Sequence, residues 1–319
     1  MRDDPGGHQR SIVRSALPDN PFQPVVAQGR RSGHFRARPI ACFEAAILMV
    51  DWFNNDRRRR PRPRDRAIDE AKAVIVERFF RDDMRQVYYG RQIEVALENN
   101  YFHWITKRAL NELAASREII FETDESKRYS PHFYWPRRHR YPRRQIAEIG
   151  RLVAEFSEPN FTHALGQHGE MLADIGFADI GFRILGRKVR EVDGRQWMRS
   201  GHDLDRLIVR EADGVRYGVE IKNTLPYIDQ AEFETKLAMC EHFRVRPLFI
   251  TRMMPRNYIY TVVRAGGFCL VLGNQHYPLM ADDLARRVRS RLNFPVVSIR
   301  QLPDTVLNRF LDWHMSHLP

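Results

Sequence analysis

The stretch over residues 204–222 constrains this chain most, because its pattern admits little except two strands folded back on each other. Leu204-Asp205-Arg206-Leu207-Ile208-Val209 and Val215-Arg216-Tyr217-Gly218-Val219-Glu220-Ile221-Lys222 are rich in β-branched and apolar residues, and Asp213-Gly214 between them has the composition of a tight turn. Folding at that turn sets Asp205, near the start of the first strand, beside Glu220, near the end of the second. Alternation along a strand puts Glu220 and Lys222 on one face and Ile221 on the other, pointing into a core. Asp203 shares the parity of Asp205 and competes with it for the same position.

The E-x-K spacing by itself carries little weight, since it occurs four times: at Glu70, Glu125, Glu220 and Glu234. Of these, the copy at Glu220 lies in a β-type stretch. Residues two apart on a helix do not face each other, so the copies at Glu70 and Glu234 read as solvated helix charge.

Around the hairpin the pattern alternates between helix and strand. A helix over 162–179 leads to a strand over 181–186. After the hairpin come a helix over 230–243, a strand over 247–250, a helix near 258–265 and a strand over 268–272. Residues 281–319 add a basic helix (Arg286, Arg287, Arg289, Arg291) and a terminal amphipathic helix. These are expected to cover the sheet edge, with an oligomer contact, such as a homodimer, as the alternative.

Upstream, residues 1 to about 38 read as a mostly disordered basic arm with Gly6-Gly7 and scattered prolines and arginines. A helix is expected over 41–53, and the Arg- and Pro-rich run over 54–64 is a solvated linker or a phosphate-binding strap. Helices over 67–80, 89–98 and 105–115 precede two strands, 118–123 and 132–135. A connecting helix follows over 145–156, and Pro159 marks a boundary. The expected organisation is an arm and helix over 1–66, an α+β domain with its connecting helix over 67–158, and an α/β domain over 159–319.

The 319-residue chain carries a net charge of +12, which points to a polyanionic partner, because neutralising phosphates releases counterions. Six of its 52 basic residues are lysines. Arginine is the better bidentate phosphate ligand, but a G+C-rich genome produces the same bias. Cys42, Cys240 and Cys269 are far apart in apolar sequence, as suits buried free thiols. The first ten residues lack a secretory pattern and the longest apolar stretch stops at Asp51, so a soluble, cytoplasmic protein without a membrane partner is expected.

Over residues 162–275 the chain resembles the restriction-endonuclease-like, or PD-(D/E)XK, nuclease superfamily. The matching text is Gly169-Glu170, Gly181-Phe182-Arg183-Ile184-Leu185, Asp203-Leu204-Asp205-Arg206-Leu207-Ile208 and Val219-Glu220-Ile221-Lys222. The resemblance implies a mixed central sheet flanked by helices, with catalytic residues Glu170, Asp205, Glu220 and Lys222. It also implies a metal, Mg²⁺ or Mn²⁺, held by Asp205, Glu220, Glu170 and the backbone carbonyl of Ile221. Such ions take carboxylate oxygens and activate water for attack on a phosphodiester, while the lysine offsets transition-state charge. His202, Asp203 and Lys236 are further candidates, and Asn223 and Thr224 are placed to line the cleft.

The three helices and two strands over 67–144 resemble a winged helix-turn-helix domain. That resemblance puts Lys107, Arg108 and Asn111 on the helix that enters a major groove. From Ser126 to Ala147 there are seven Lys or Arg and no acid. Arg137, Arg138, Arg140, Arg143 and Arg144 are expected to contact nucleic acid. Tyr129, Phe133, Tyr134, Trp135 and Tyr141 either stack on exposed bases or close a small core. The expected activity is metal-dependent cleavage of DNA, as in restriction, defence, repair and recombination enzymes. A DNA-binding regulatory or structural protein with a non-cutting nuclease fold, and an RNA nuclease, are the alternatives.

Overall fold

A computed structural model describes residues 63–82, 85–125 and 130–317. The arm, the helix expected over 41–53 and most of the basic run after it lie outside the described residues. Residues 59–319 form one compact unit.

The hairpin is present and sits at the centre of the larger sheet. Strands β7 (Leu204–Arg210) and β8 (Arg216–Lys222) pair antiparallel with Arg206 opposite Val219, and Gly214 takes a positive φ of 72° in the turn between them. With β4 (Phe182–Val189), β9 (Arg246–Thr251) and β10 (Phe268–Val271) they make a five-stranded sheet in the order β10-β9-β8-β7-β4, while β5 (Glu191–Val192) and β6 (Arg195–Gln196), between β4 and β7 in sequence, pair in a separate small hairpin. β4 and β7 are antiparallel, whereas β8, β9 and β10 run parallel, so the sheet is mixed and the protein is α/β.

Strand alternation divides this sheet into two covered faces. On one, Ile208, Tyr217, Val219, Ile221, Leu248 and Ile250 pack against Ala173 and Phe177 of α5 (Pro159–Asp179) and Phe310 of α9 (Asp304–His317). On the other, Leu204 and Leu207 meet Met239, Cys240 and Phe243 of α6 (Gln230–Phe243), while Phe249 meets Phe233 of α6 and Tyr258 of α7 (Arg256–Arg264). The terminal helix covers a face of the sheet at its edge strand β10, where Phe310 and Trp313 pack on Phe268. Its Phe310 is fully buried against Phe182, Tyr217 and Phe268. Cys240 is a buried free thiol and Cys269 is half-buried.

Local sequence explains where the flanking helices begin. Pro159 is the first helical residue of α5, and the Glu158 side chain accepts from the Phe161 N–H at 2.8 Å, an N-terminal cap. Asp229 caps α6 by accepting from the Glu232 N–H at 3.0 Å, and Arg244 in a left-handed conformation closes it.

The upstream region begins with α1 (Pro63–Ile75), which runs into a π-helical turn at Val76–Phe80. Then come β1 (Tyr88–Tyr89), α2 (Gly90–Leu97), α3 (His103–Ala115), β2 (Ile119–Thr123) and β3 (His132–Pro136). The short strand β1 is an addition to the expected pattern and makes a three-stranded antiparallel sheet with β3 in the middle. Ile68, Ile75, Ile93, Leu97, Leu110 and Leu113 close a small core between the helices and this sheet.

A second cluster joins the two regions. Phe133 and Trp135 of β3 and Ile149, Val153 and Phe156 of α4 (Arg143–Phe156) pack with Leu284, Val288 and Leu292 of α8 (Asp282–Leu292) and with Phe294. Because β3 is covered on both sides, Phe133, Tyr134 and Trp135 are all buried and unavailable for stacking on bases. The core-closing alternative holds for these three; Tyr141 is exposed, and Tyr129 lies outside the described residues. Among the described residues no helix is long and apolar enough to cross a membrane.

Candidate active site

The β7–β8 ladder ends at the Arg206–Val219 pair, and the strands part where Asp205 and Glu220 follow. Asp205 bridges the gap with its side chain: its Oδ2 accepts from the Ile221 N–H at 2.7 Å, replacing a ladder bond. In an extended strand a residue's N–H and C=O point to the same side, so the Ile221 carbonyl faces this gap too. Asp203 enters differently, through its main-chain carbonyl, which accepts from Lys236 Nζ. Of the two competing aspartates, Asp205 is thus the one whose carboxylate reaches β8.

Glu220 and Lys222 project from the face covered by α6, as strand parity requires. Glu220 is 2% exposed. Its Oε1 lies 3.1 Å from Lys222 Nζ and its Oε2 lies 2.5 Å from Lys236 Nζ. Lys222 also donates to Glu232 Oε1 at 2.7 Å. The result is an alternating row of charges, Glu232–Lys222–Glu220–Lys236, along one side of the parted strands.

Burial, and then the charge of Asp205, push the Glu220 pKa up to about 7 despite the two ammonium groups. The Asp205 pKa is raised as well, by burial first, with the charge of Glu170 adding to it and the Ile221 N–H opposing. Burial works against the Lys222 ammonium, but Glu220 and Glu232 outweigh it and raise its pKa.

Glu170 sits on α5, which covers the opposite face of the sheet. Arg206, pointing to that face, binds Glu170 Oε2 at 2.8 Å and Asp174 at 2.7 and 3.2 Å. Glu170 is held by this guanidinium instead of joining Asp205 and Glu220. The acids expected to converge on an ion therefore form a pair with a third member held aside, and among the described residues no group of three or more His, Cys, Asp or Glu is placed to hold a metal. Asp205, Glu220 and the Ile221 carbonyl nevertheless supply the hard oxygen donors that Mg²⁺ takes. Burial raises both carboxylates and the charge of Asp205 adds to the rise at Glu220, a cost that a cation between them would relieve.

Asn223, directly after Lys222, fixes the end of the strand. Its Nδ2 donates to the carbonyls of Leu165 and His276, and its Oδ1 accepts from the His276 N–H at 2.7 Å. Gly169, beside Glu170, admits this residue: a Cβ at 169 would stand 2.6 Å from the Asn223 Cβ. Gly169→Ala is expected to lower stability by about 1–3 kcal/mol through overpacking, measured as a fall in the thermal midpoint. An unchanged midpoint would mean that Asn223 has room to move. Thr224 is exposed, and His202 is an exposed loop residue bonded to Ser200 Oγ at 3.0 Å.

Three contributors were not singled out from the sequence. Glu232 stands four residues before Lys236 on α6, a spacing that puts it on the same helix face as that candidate. Arg206 is a lone cation in an apolar strand, which implies a buried acidic partner. Asp174, one turn beyond Glu170, has no local signal.

In the upstream region Lys107 is exposed and makes no ion pair among the described residues, whereas Arg108 is tied to Glu112 at 3.0 Å. Asn111 Oδ1 accepts from the Tyr134 hydroxyl at 3.3 Å. Arg137, Arg138, Arg140 and Arg144 are exposed without an ion pair among the described residues, and Arg143 pairs with Glu122. No family model, curated protein or solved structure matches this chain.

Proposed function

We propose that this protein is a metal-dependent nuclease of the restriction-endonuclease-like class, acting on DNA through a winged-helix-like binding region. One observation carries the reading: where β7 and β8 part, half-buried Asp205 bridges to the Ile221 N–H beside buried Glu220, which pairs with Lys222. The element order α5-β4-β7-β8-α6-β9 supports the fold assignment, as three helices followed by a basic hairpin support the binding region.

In this reading Asp205, Glu220 and the Ile221 carbonyl hold Mg²⁺ or Mn²⁺, which when bound polarises the scissile phosphate and activates water. Lys222 presents a charge to the phosphoryl oxygens, and Glu232 fixes its direction. Lys236 balances Glu220 from within the core. Glu170 is bound to Arg206 through its Oε2 and stands apart from these holders.

The test is incubation with supercoiled, linear, single-stranded and branched DNA, and with RNA, with and without Mg²⁺. Metal-dependent cleavage that is lost in Lys222→Ala is the expected result. Cleavage by wild type and Lys222→Ala alike would overturn the assignment. A second reading, a DNA-binding protein that keeps the fold without cutting, draws on the capture of Glu170 by Arg206 and of Glu220 by Lys236. It predicts binding without cleavage.

The four unpaired arginines beside the hairpin make a separate prediction. Replacing Arg137 and Arg138 by Ala should weaken duplex binding and reduce the slope of log affinity against log salt by about 2. A slope equal to that of wild type would place the duplex elsewhere.

A further inference from the structure

The stacking capacity that the sequence assigns to Phe133, Tyr134 and Trp135 is buried, yet the same small sheet exposes another ring. Phe121 on β2 is 41% exposed. It is backed by the rings of His132 and Tyr134, each with its centroid 5.2 Å away. These supports hold the ring as a platform beside an open hollow of about 650 Å³ lined by Asn111, Ala115, Arg117, Ile120, Phe121 and His132, a volume within the range of small-ligand sites. Residues Lys107, Asn111 and Ala114 to Ala115 recur at helical spacing on α3, and the two alanines leave the hollow open.

Among the residues that line it, the charged side chain is that of Arg117. No carboxylate lines the hollow. Arg117, in a left-handed conformation with φ of 61° just past the end of α3, makes no ion pair among the described residues, and neither does Lys107. The charge of Lys107 reaches His132, whose pKa burial and then that charge hold below the ordinary imidazole value. With its Oδ1 occupied by Tyr134, Asn111 keeps its amide hydrogens for an acceptor.

We propose that this hollow receives an unpaired nucleobase of a nucleic-acid strand, stacked on Phe121, with its flanking phosphates on Lys107 and Arg117. The proposal rests on the nucleic-acid reading above and deepens it by naming the form of the substrate. A base inside a duplex has both ring faces covered and offers nothing to Phe121, so the site selects single strands, unpaired ends or extruded bases. Apolar walls, an aromatic platform and cations together match a nucleotide: an apolar helix leaves the cations unused, and an acidic peptide leaves the aromatic platform unused.

The test uses the full chain carrying Lys222→Ala, in EDTA, so that binding is read without cleavage. Anisotropy is measured with a single-stranded DNA oligonucleotide, an RNA of the same sequence and a blunt DNA duplex. Phe121→Ala and Phe121→Leu are expected to weaken single-strand binding by about five- to a hundredfold and to leave the blunt duplex within about twofold, while Phe121→Trp retains single-strand affinity. Arg117→Gln should reduce the single-strand salt slope by about 0.7. Equal affinity of Phe121→Ala and the parent for the single strands, or an equal loss on single strand and duplex, overturns the proposal. Binding of the parent to duplex alone also overturns it while leaving the nuclease reading intact, and binding to no nucleic acid removes both.

Discussion

Glu220→Gln is expected to lower metal-dependent cleavage by about a hundredfold or more, with binding of uncut nucleic acid retained. The substitution keeps the shape of the side chain and removes the charge that, in the proposed site, would hold a cation beside Asp205. The same variant reports on the metal-free protein. An unfolded glutamate titrates near 4.5, whereas burial and Asp205 push Glu220 up to about 7, so between these values the native state binds the extra proton. The stability contributed by the protonated form is fully present below about pH 4.5 and is lost as pH rises through 7.

Glutamine has no such proton. The stability difference between wild type and Glu220→Gln should therefore drift against wild type by about 2–3 kcal/mol from pH 4.5 to 8, measured by chemical denaturation in EDTA. The slope is the informative quantity, because the variant also leaves Lys236 without its carboxylate partner. A flat difference would mean that Lys222 and Lys236 keep Glu220 ionised throughout. Added Mg²⁺ should restore part of the stability lost at high pH in wild type but not in the variant, and an unmoved thermal midpoint in wild type would count against a metal at this pair.

How far the site could be read in the sequence depended on the distance over which each relation acts. Glu220 and Lys222 share a face by strand parity alone, and the structure keeps that relation. Choosing between Asp203 and Asp205 needed the point at which the ladder ends, which parity cannot supply. Glu170 was out of reach for a different reason: its partner Arg206 lies thirty-six residues away on another element, and the ion pair occupies its Oε2. The hairpin aromatics show the same limit. His132-Phe133-Tyr134-Trp135 reads as a strand in either case, but burial of both its faces depends on α8 packing from more than a hundred residues downstream.

The second large effect is expected where the upstream region meets the sheet. Arg252, next after β9, is 2% exposed, and its guanidinium binds both Glu98 oxygens at 2.6 Å and the Leu225 carbonyl. The His103 ring approaches Glu98 at 3.2 Å, and the His103 main-chain N–H donates to the Tyr227 hydroxyl at 3.0 Å. Burial opposes the charge on Glu98, but the bonds from Arg252 and His103 win and hold its pKa below the ordinary value. Its contribution is thus present above about pH 4.5 and is lost as pH falls through the lowered value.

Removing one member leaves the other charged and dry. Arg252→Met or Glu98→Met alone should cost about 3–5 kcal/mol, whereas the two together should recover much of that loss, since an apolar pair of similar volume avoids desolvating two ions. A double variant as unstable as the sum of the singles would show that the pair is not coupled. The contact also has a functional side. Arg252 holds the Leu225 carbonyl three residues beyond Lys222, and its own N–H lies 3.4 Å from the Lys222 carbonyl. Breaking the pair loosens the segment that carries the lysine, so the single variants should lose cleavage at temperatures well below their melting points, and the double variant should regain stability ahead of activity.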